Sequence, residues 1–222
     1  MPDRPTTASA VLDRAALAWR VAELIAIFVV LPLGFRAGLL PAPRLLVLAA
    51  VTAGALLVLL RDPGFDTASV WSLRLRGEWS GILLRAAAAA LLIAGLVLAL
   101  HPERFLALPR QQPRLFLAGL VLYPLLSAWP QEVLYRSFFF RRYAVLFGSG
   151  DGLVVASGVA FAMLHLVYPN LLAPLLSLPA GLILAWRYRR RGSLGAVWVE
   201  HSLYGLLLFA LGLGSYFYDG RG

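Results

Sequence analysis

The chain has 222 residues, of which 60% are hydrophobic and only 14% charged, where an ordinary soluble domain is roughly half apolar and a quarter charged. That excludes a disordered chain and most soluble enzymes, and the absence of cysteine excludes a disulfide scaffold, thiolate chemistry, iron–sulfur clusters and prenylation of the chain itself. The formal net charge is +9 and all 20 basic residues are arginine, but these arginines fall between apolar runs, where membrane loops place them, so no nucleic-acid partner is expected.

A bilayer core is ~30 Å thick and asks for about 20 mostly apolar residues per helix. The first run that approaches this is Ala15–Phe35, with Arg20 and Glu23 near its start. The small residues Thr6–Ala10 precede the run, whereas a cleavage site would follow it, so the run reads as a permanent span and not a removable signal. Arg20 and Glu23 are three apart and read as neutralising each other. Leu45–Leu60 follows between Arg44 and Arg61. Ile82–Leu100 is the third run, and Arg85 near its start reads as snorkelling to the interface. Leu115–Ala128, Leu153–Tyr168, Leu171–Trp186 and Leu194–Tyr218 complete the set. Trp19, Trp71, Trp79 and Trp129 read as interfacial anchors. So many apolar runs in one short chain predict an all-α, polytopic transmembrane bundle with lipid as its surroundings.

The stretch Leu115–Phe147 decides the number of crossings. As one continuous helix it would run about 50 Å, too long for a single span, and Pro124 and Pro130 offer places to break it. One crossing there makes seven spans with the N-terminus inside; two make eight with the N-terminus outside. The dense basic loop of Arg187, Arg189, Arg190 and Arg191 is placed in the cytoplasm in both cases. Both arrangements put equally many arginines inside, so the positive-inside rule does not choose.

Ionisable groups within spans cost ~2.5–3.5 kcal/mol on insertion scales and usually face a cavity or a partner. Here they are Arg20, Glu23, Arg85, Glu132, Arg136, His165, Glu200 and His201. Glu132 and Arg136 are four apart, share a helix face and can pair, either as a structural ion pair or as a site carboxylate held by an arginine. His165 and His201 each sit in a separate apolar run; the third histidine, His101, lies in a proline-containing loop. A carboxylate and an imidazole can activate water while a second imidazole donates to an oxyanion. One Glu and two His can also bind zinc with an open fourth position, but the His-Glu-x-x-His spacing of one-helix zinc sites is absent, so no metal and no cofactor are expected.

Three segments in this order, Gln131-Glu-Val-Leu-Tyr-Arg136, Phe161-Ala-Met-Leu-His165 and His201-Ser-Leu-Tyr-Gly205, resemble the Glu-Glu-x-x-x-Arg, Phe-x-x-x-His and His-x-x-x-Asn motifs of the CAAX-protease and bacteriocin-processing (CPBP, or Abi) family of glutamic intramembrane proteases. The resemblance implies a bundle of seven to eight spans with a polar cavity inside the membrane. Residues 1–114 would be an N-terminal tail and the first three spans, and 115–218 the core with the motifs. It implies a peptide-bond hydrolase in a membrane, for a bacterium the inner one, acting on a membrane-embedded or membrane-tethered protein or peptide. Glu132 and His165 would activate water, His201 would stabilise the oxyanion and Arg136 would hold Glu132. The chain departs from the family twice. Gln131 stands where the first Glu is thought to act as base, and Gly205 stands where an Asn would help the last histidine, a loss the backbone or Tyr204 would have to cover. Gln131 would then orient water or substrate. The departures leave room for a catalytically inactive membrane partner or immunity protein on the same fold, and more distantly for a transporter.

Overall fold

The computed structural model describes residues 7–73 and 75–218. Arg4 and Arg74 lie outside the described residues, as does Thr6 ahead of the first run. Every regular element among the described residues is helical. Helix α1 spans 7–36, its regular turns Thr7–Ile25 and Leu31–Arg36 joined through one wide π turn, Ala26–Val30. Then come α2 (Arg44–Leu60), α3 (Trp79–Leu100), α4 (113–147), α5 (Asp151–Leu164), α6 (Leu172–Arg191) and α7 (Leu194–Leu211).

The two prolines of α4 do not break it. The backbone stays helical through Pro124 and Pro130 and takes up the misfit in two π segments, Pro124–Ala128 and Val133–Phe138. Side chains from neighbouring helices bond the backbone at these points. The Trp198 indole Nε1 donates to the Pro124 carbonyl at 2.8 Å, and the Thr52 hydroxyl to the Pro130 carbonyl at 3.3 Å. Wide turns of this kind are what let proline persist inside an apolar helix. By contrast α6 does stop. Gly192 takes a left-handed φ of 61° that ends it, and the Ser193 hydroxyl then accepts the Ala196 N–H at 3.2 Å to start α7.

Polar contacts sort the helix ends into two groups. At one end Asp62 binds Arg141, Asp151 binds Arg189 and Glu78 binds Arg187. At the other, Arg36 reaches the Tyr168 carbonyl, Asn170 the Tyr216 carbonyl, and the Tyr216 hydroxyl meets His101. Successive helices therefore run in opposite directions, and the arginine-rich α6–α7 turn shares its end with the α2–α3 and α4–α5 connections.

Among the described residues three helical stretches are long and apolar enough to cross a membrane, Arg14–Arg36, Trp79–Leu100 and Leu194–Leu211; Arg44–Leu60 and Asp151–Val167 are apolar but shorter. Leucines such as Leu84, Leu91 and Leu92 on α3 are largely bare. A continuous apolar surface of this kind suits lipid, not water, and the chain is an integral membrane protein. Inside, Phe28, Tyr135, Phe139, Tyr143 and Phe161 pack edge to face around α1, α4 and α5. Helices α5 and α6 come closest at Gly158 and Gly181, where an added Cβ would lie 2.6 Å from Leu182 and 2.9 Å from the Gly158 carbonyl. Small residues at a crossing are how helices associate where burial in lipid offers little drive.

Candidate active site

The middle of α4 carries the first group of residues. From Pro130 to Phe139 every side chain is buried, and Glu132 and Arg136 have no exposed surface. Their spacing of one helical turn brings Arg136 Nε to 3.0 Å from Glu132 Oε2, an ion pair whose N–H is not aligned along the contact. Arg136 is held on its other side by α5. Its Nη1 donates to the Ser157 hydroxyl at 2.7 Å, Ser157 donates to the Tyr135 carbonyl at 2.7 Å, and the guanidinium lies 5.3 Å from the centre of the Phe161 ring. The remaining Glu132 oxygen, Oε1, lies 2.8 Å from His201 Nδ1 on α7. One carboxylate thus bridges an arginine of its own helix and a histidine 69 residues away.

His165 ends α5. Its Nδ1 lies 2.9 Å from the Phe161 carbonyl one turn earlier. Phe161 stands between the two histidines, with ring centres 4.9 Å from His165 and 5.2 Å from His201. Gln131 donates from Nε2 to the Ser127 hydroxyl at 2.8 Å, while its Oε1 is buried without a partner.

Gln131, His165 and His201 all line one cavity of about 370 Å³, together with Tyr123, Ser127, Phe161, Ser177, Tyr204 and Gly205. The rest of its wall is mostly apolar, from α2, α4, α6 and α7, with Arg44 and Tyr168 also in it. Glu132 is not in that wall. It sits behind His201, with Oε1 on that ring's Nδ1 at 2.8 Å. Hydrogen-bond arithmetic then sets the tautomers. A carbonyl only accepts, so His165 carries a proton on Nδ1, and the Glu132 carboxylate likewise accepts from Nδ1 of His201. Each ring is left with its Nε2 for the cavity it lines.

Other expectations fare differently. Glu23 does not turn to Arg20: Arg142 reaches it from α4 at 2.8 and 2.9 Å and the Tyr143 hydroxyl at 2.9 Å. Arg85 does not snorkel away but binds Glu200 at 2.5 Å, and Glu200 also meets Arg187 and the Tyr204 hydroxyl, the latter at 2.6 Å. Tyr204 is thereby committed to Glu200 and does not stand in at the position next to His201. Trp71 and Trp129 stack on each other at 4.8 Å. Among the described residues no three His, Asp or Glu side chains gather as a metal-binding group. Ser157 and Tyr123 were missed by sequence reasoning; a lone serine or tyrosine in an apolar helix carries no spacing signal.

The stretch that supplies these side chains matches a known family. Residues 112–207 match the Rce1-like family model, described as type II CAAX prenyl endopeptidase Rce1-like. Over this segment the chain is similar to that family. The match covers less than half of the chain, runs from the start of α4 into α7, and falls on the three motifs that resemble the CAAX-protease family. No curated protein and no solved structure gives a match.

Proposed function

We propose that the chain is an intramembrane endopeptidase that hydrolyses a peptide bond of a membrane-embedded or membrane-tethered protein or peptide, using water activated by the Glu132–His201 pair. The observation that carries this reading is the cavity: two histidines and Gln131 converge in an apolar bundle, and one histidine is backed at 2.8 Å by a fully buried carboxylate.

In this reading water sits between the Nε2 atoms of His165 and His201. His201 takes its proton as the oxygen attacks the carbonyl carbon, and Glu132 on Nδ1 stabilises the imidazolium that forms, the division of labour of a carboxylate–histidine pair in acyl transfer. Arg136 pairs with Glu132 and aims it. His165 holds the water from its second side. Gln131 has no base to offer, since an amide does not take a proton near neutral pH; it orients water or substrate. The apolar wall suits a chain entering from lipid. The seven antiparallel helices α1–α7 cross the membrane once each, and the end with Arg141, Arg142 and the α6–α7 turn faces the cytoplasm.

The test is cleavage of a lipid-tethered reporter peptide by the full chain in lipid vesicles. Glu132→Gln and His165→Ala should each lose at least about a hundredfold, the usual range for an acid–base group. A wild-type chain that is folded and cleaves no tethered or membrane-spanning peptide would overturn the proposal and favour the non-catalytic partner.

A further inference from the structure

In this mechanism both histidines are occupied with water: Nδ1 of His165 is on the Phe161 carbonyl and Nδ1 of His201 on Glu132, which leaves Nε2 of each ring for the water. Attack on a peptide carbonyl creates negative charge on its oxygen, and a dry site needs a fixed donor there. The Tyr204 hydroxyl donates to Glu200, while the Ser127 hydroxyl accepts from Gln131, keeps its own proton and stands beside Gln131.

Tyr123 fits this vacancy in the chemistry. It lines the same cavity as Gln131, His165 and His201. Its ring meets His201 edge on at 6.2 Å and Phe209 at 5.6 Å. It is also tightly placed. It is the last residue before the first π segment of α4, and the next carbonyl, that of Pro124, is held by Trp198 of α7 at 2.8 Å. Gly205 lies one turn beyond His201, and a Cβ built there would fall 2.0 Å from the Tyr123 hydroxyl oxygen. The hydroxyl therefore occupies the space where a side chain of residue 205 would begin. Absence of a side chain at 205 is what admits a phenol from another helix to the His201 side of the cavity.

Resting on the protease reading, we infer that Tyr123 is a further catalytic residue, its O–H donating to the oxyanion formed on the scissile carbonyl. Water adds to the carbonyl carbon, its proton passes to His201 Nε2, and the carbonyl π pair becomes the oxyanion that Tyr123 binds. On collapse the C=O re-forms, the C–N bond breaks, and the amine leaves with the proton from His201. Tyr123 keeps its own proton throughout.

The experiment measures kcat and KM on the tethered reporter peptide in vesicles, with the melting temperature of each variant. Tyr123→Phe keeps the ring and its packing, and should lower kcat by about 10²–10³, the range for one oxyanion donor, with KM within threefold and melting unchanged. A Ser177→Ala loss in kcat as large as that of Tyr123→Phe would give the donor role to Ser177 and overturn that of Tyr123. Because a donor rooted at 205 reaches the same space, Tyr123→Ala with Gly205→Asn should regain at least tenfold over Tyr123→Ala alone. A Tyr123→Phe enzyme with kcat within threefold of wild type, or with only KM altered, overturns the role of Tyr123 and leaves the protease reading intact. A wild type that cleaves nothing overturns both.

Discussion

Glu200 and His201 are neighbours in sequence on α7, and they serve two different buried charge clusters. Glu200 turns toward α3 and α6, where Arg85 and Arg187 close on it and Glu78 binds Arg187 in turn. His201 turns toward α4, where Glu132 and Arg136 complete its partners. Both carboxylates are fully buried, and both bind arginine. The difference is what lies on the far side. Around Glu200 the charges cross-brace three helices near the arginine-rich end. Around Glu132 the chain of contacts ends in an imidazole that faces a cavity. A buried ion pair is therefore no mark of chemistry by itself, and breaking one is costly whichever role it has. What separates a brace from a site is an open space on one side and a titratable ring at its edge.

Four experiments sharpen or break that contrast. His201→Ala should have the largest effect, lowering reporter cleavage by about 10²–10⁴ while melting falls less than in a Glu200 variant; equal losses of folding in both would dissolve the distinction. Glu200→Ala leaves two arginines facing each other without their acid. It should cost about 3–5 kcal/mol of stability, read as a drop in melting temperature in detergent, while cleavage per folded molecule stays within threefold. A Glu200→Ala protein that melts normally would show that the cluster does not brace the bundle. Gln131→Ala removes a hydrogen bond to Ser127 and an amide from the cavity wall, and should slow cleavage about tenfold, in line with ~1 kcal/mol for such a bond. A loss as large as that of His201→Ala would assign Gln131 a greater part.

The smallest effect belongs to the exposed Asp62–Arg141 pair at the end of α2. Hydrogen bonds from the Arg141 guanidinium and the Gly64 N–H hold the Asp62 carboxyl down at about 2. A lowered folded-state value means that the pair's contribution is whole above the ordinary carboxylate range and fades as pH falls through about 2. The melting difference between wild type and Asp62→Asn should thus be slight and constant from pH 8 to pH 5. A difference that stays constant on down to about pH 2 would mean that the Asp62 carboxyl titrates normally.

The helices were legible because lipid demands long apolar runs, and composition records that demand directly. Glu132 with Arg136 was legible too, because a separation of four residues on a helix is a contact. Sequence separation also placed Phe161 one turn before His165. The errors were of one kind. Glu23 was assigned to Arg20 and Arg85 to the interface because the only partners a sequence offers are nearby ones, while Arg142 and Glu200 are more than a hundred residues away in each case. The prolines of α4 read as breaks because proline removes a local hydrogen bond; donors from α2 and α7 beside each proline are tertiary facts.

Taken alone, the sequence determined that this protein is helical, that it lives in lipid, and which few polar residues its interior tolerates. These follow from local spacing and from the cost of burying charge, which act on each segment separately. Only the tertiary structure decided which of those residues meet. It placed Glu132 behind His201 and out of the cavity, gave Glu200 to a brace instead of a site, and brought Tyr123 into the space left by Gly205. Each of these depends on helix rotation and crossing, where a turn of about 100° per residue sends adjacent side chains to different neighbours.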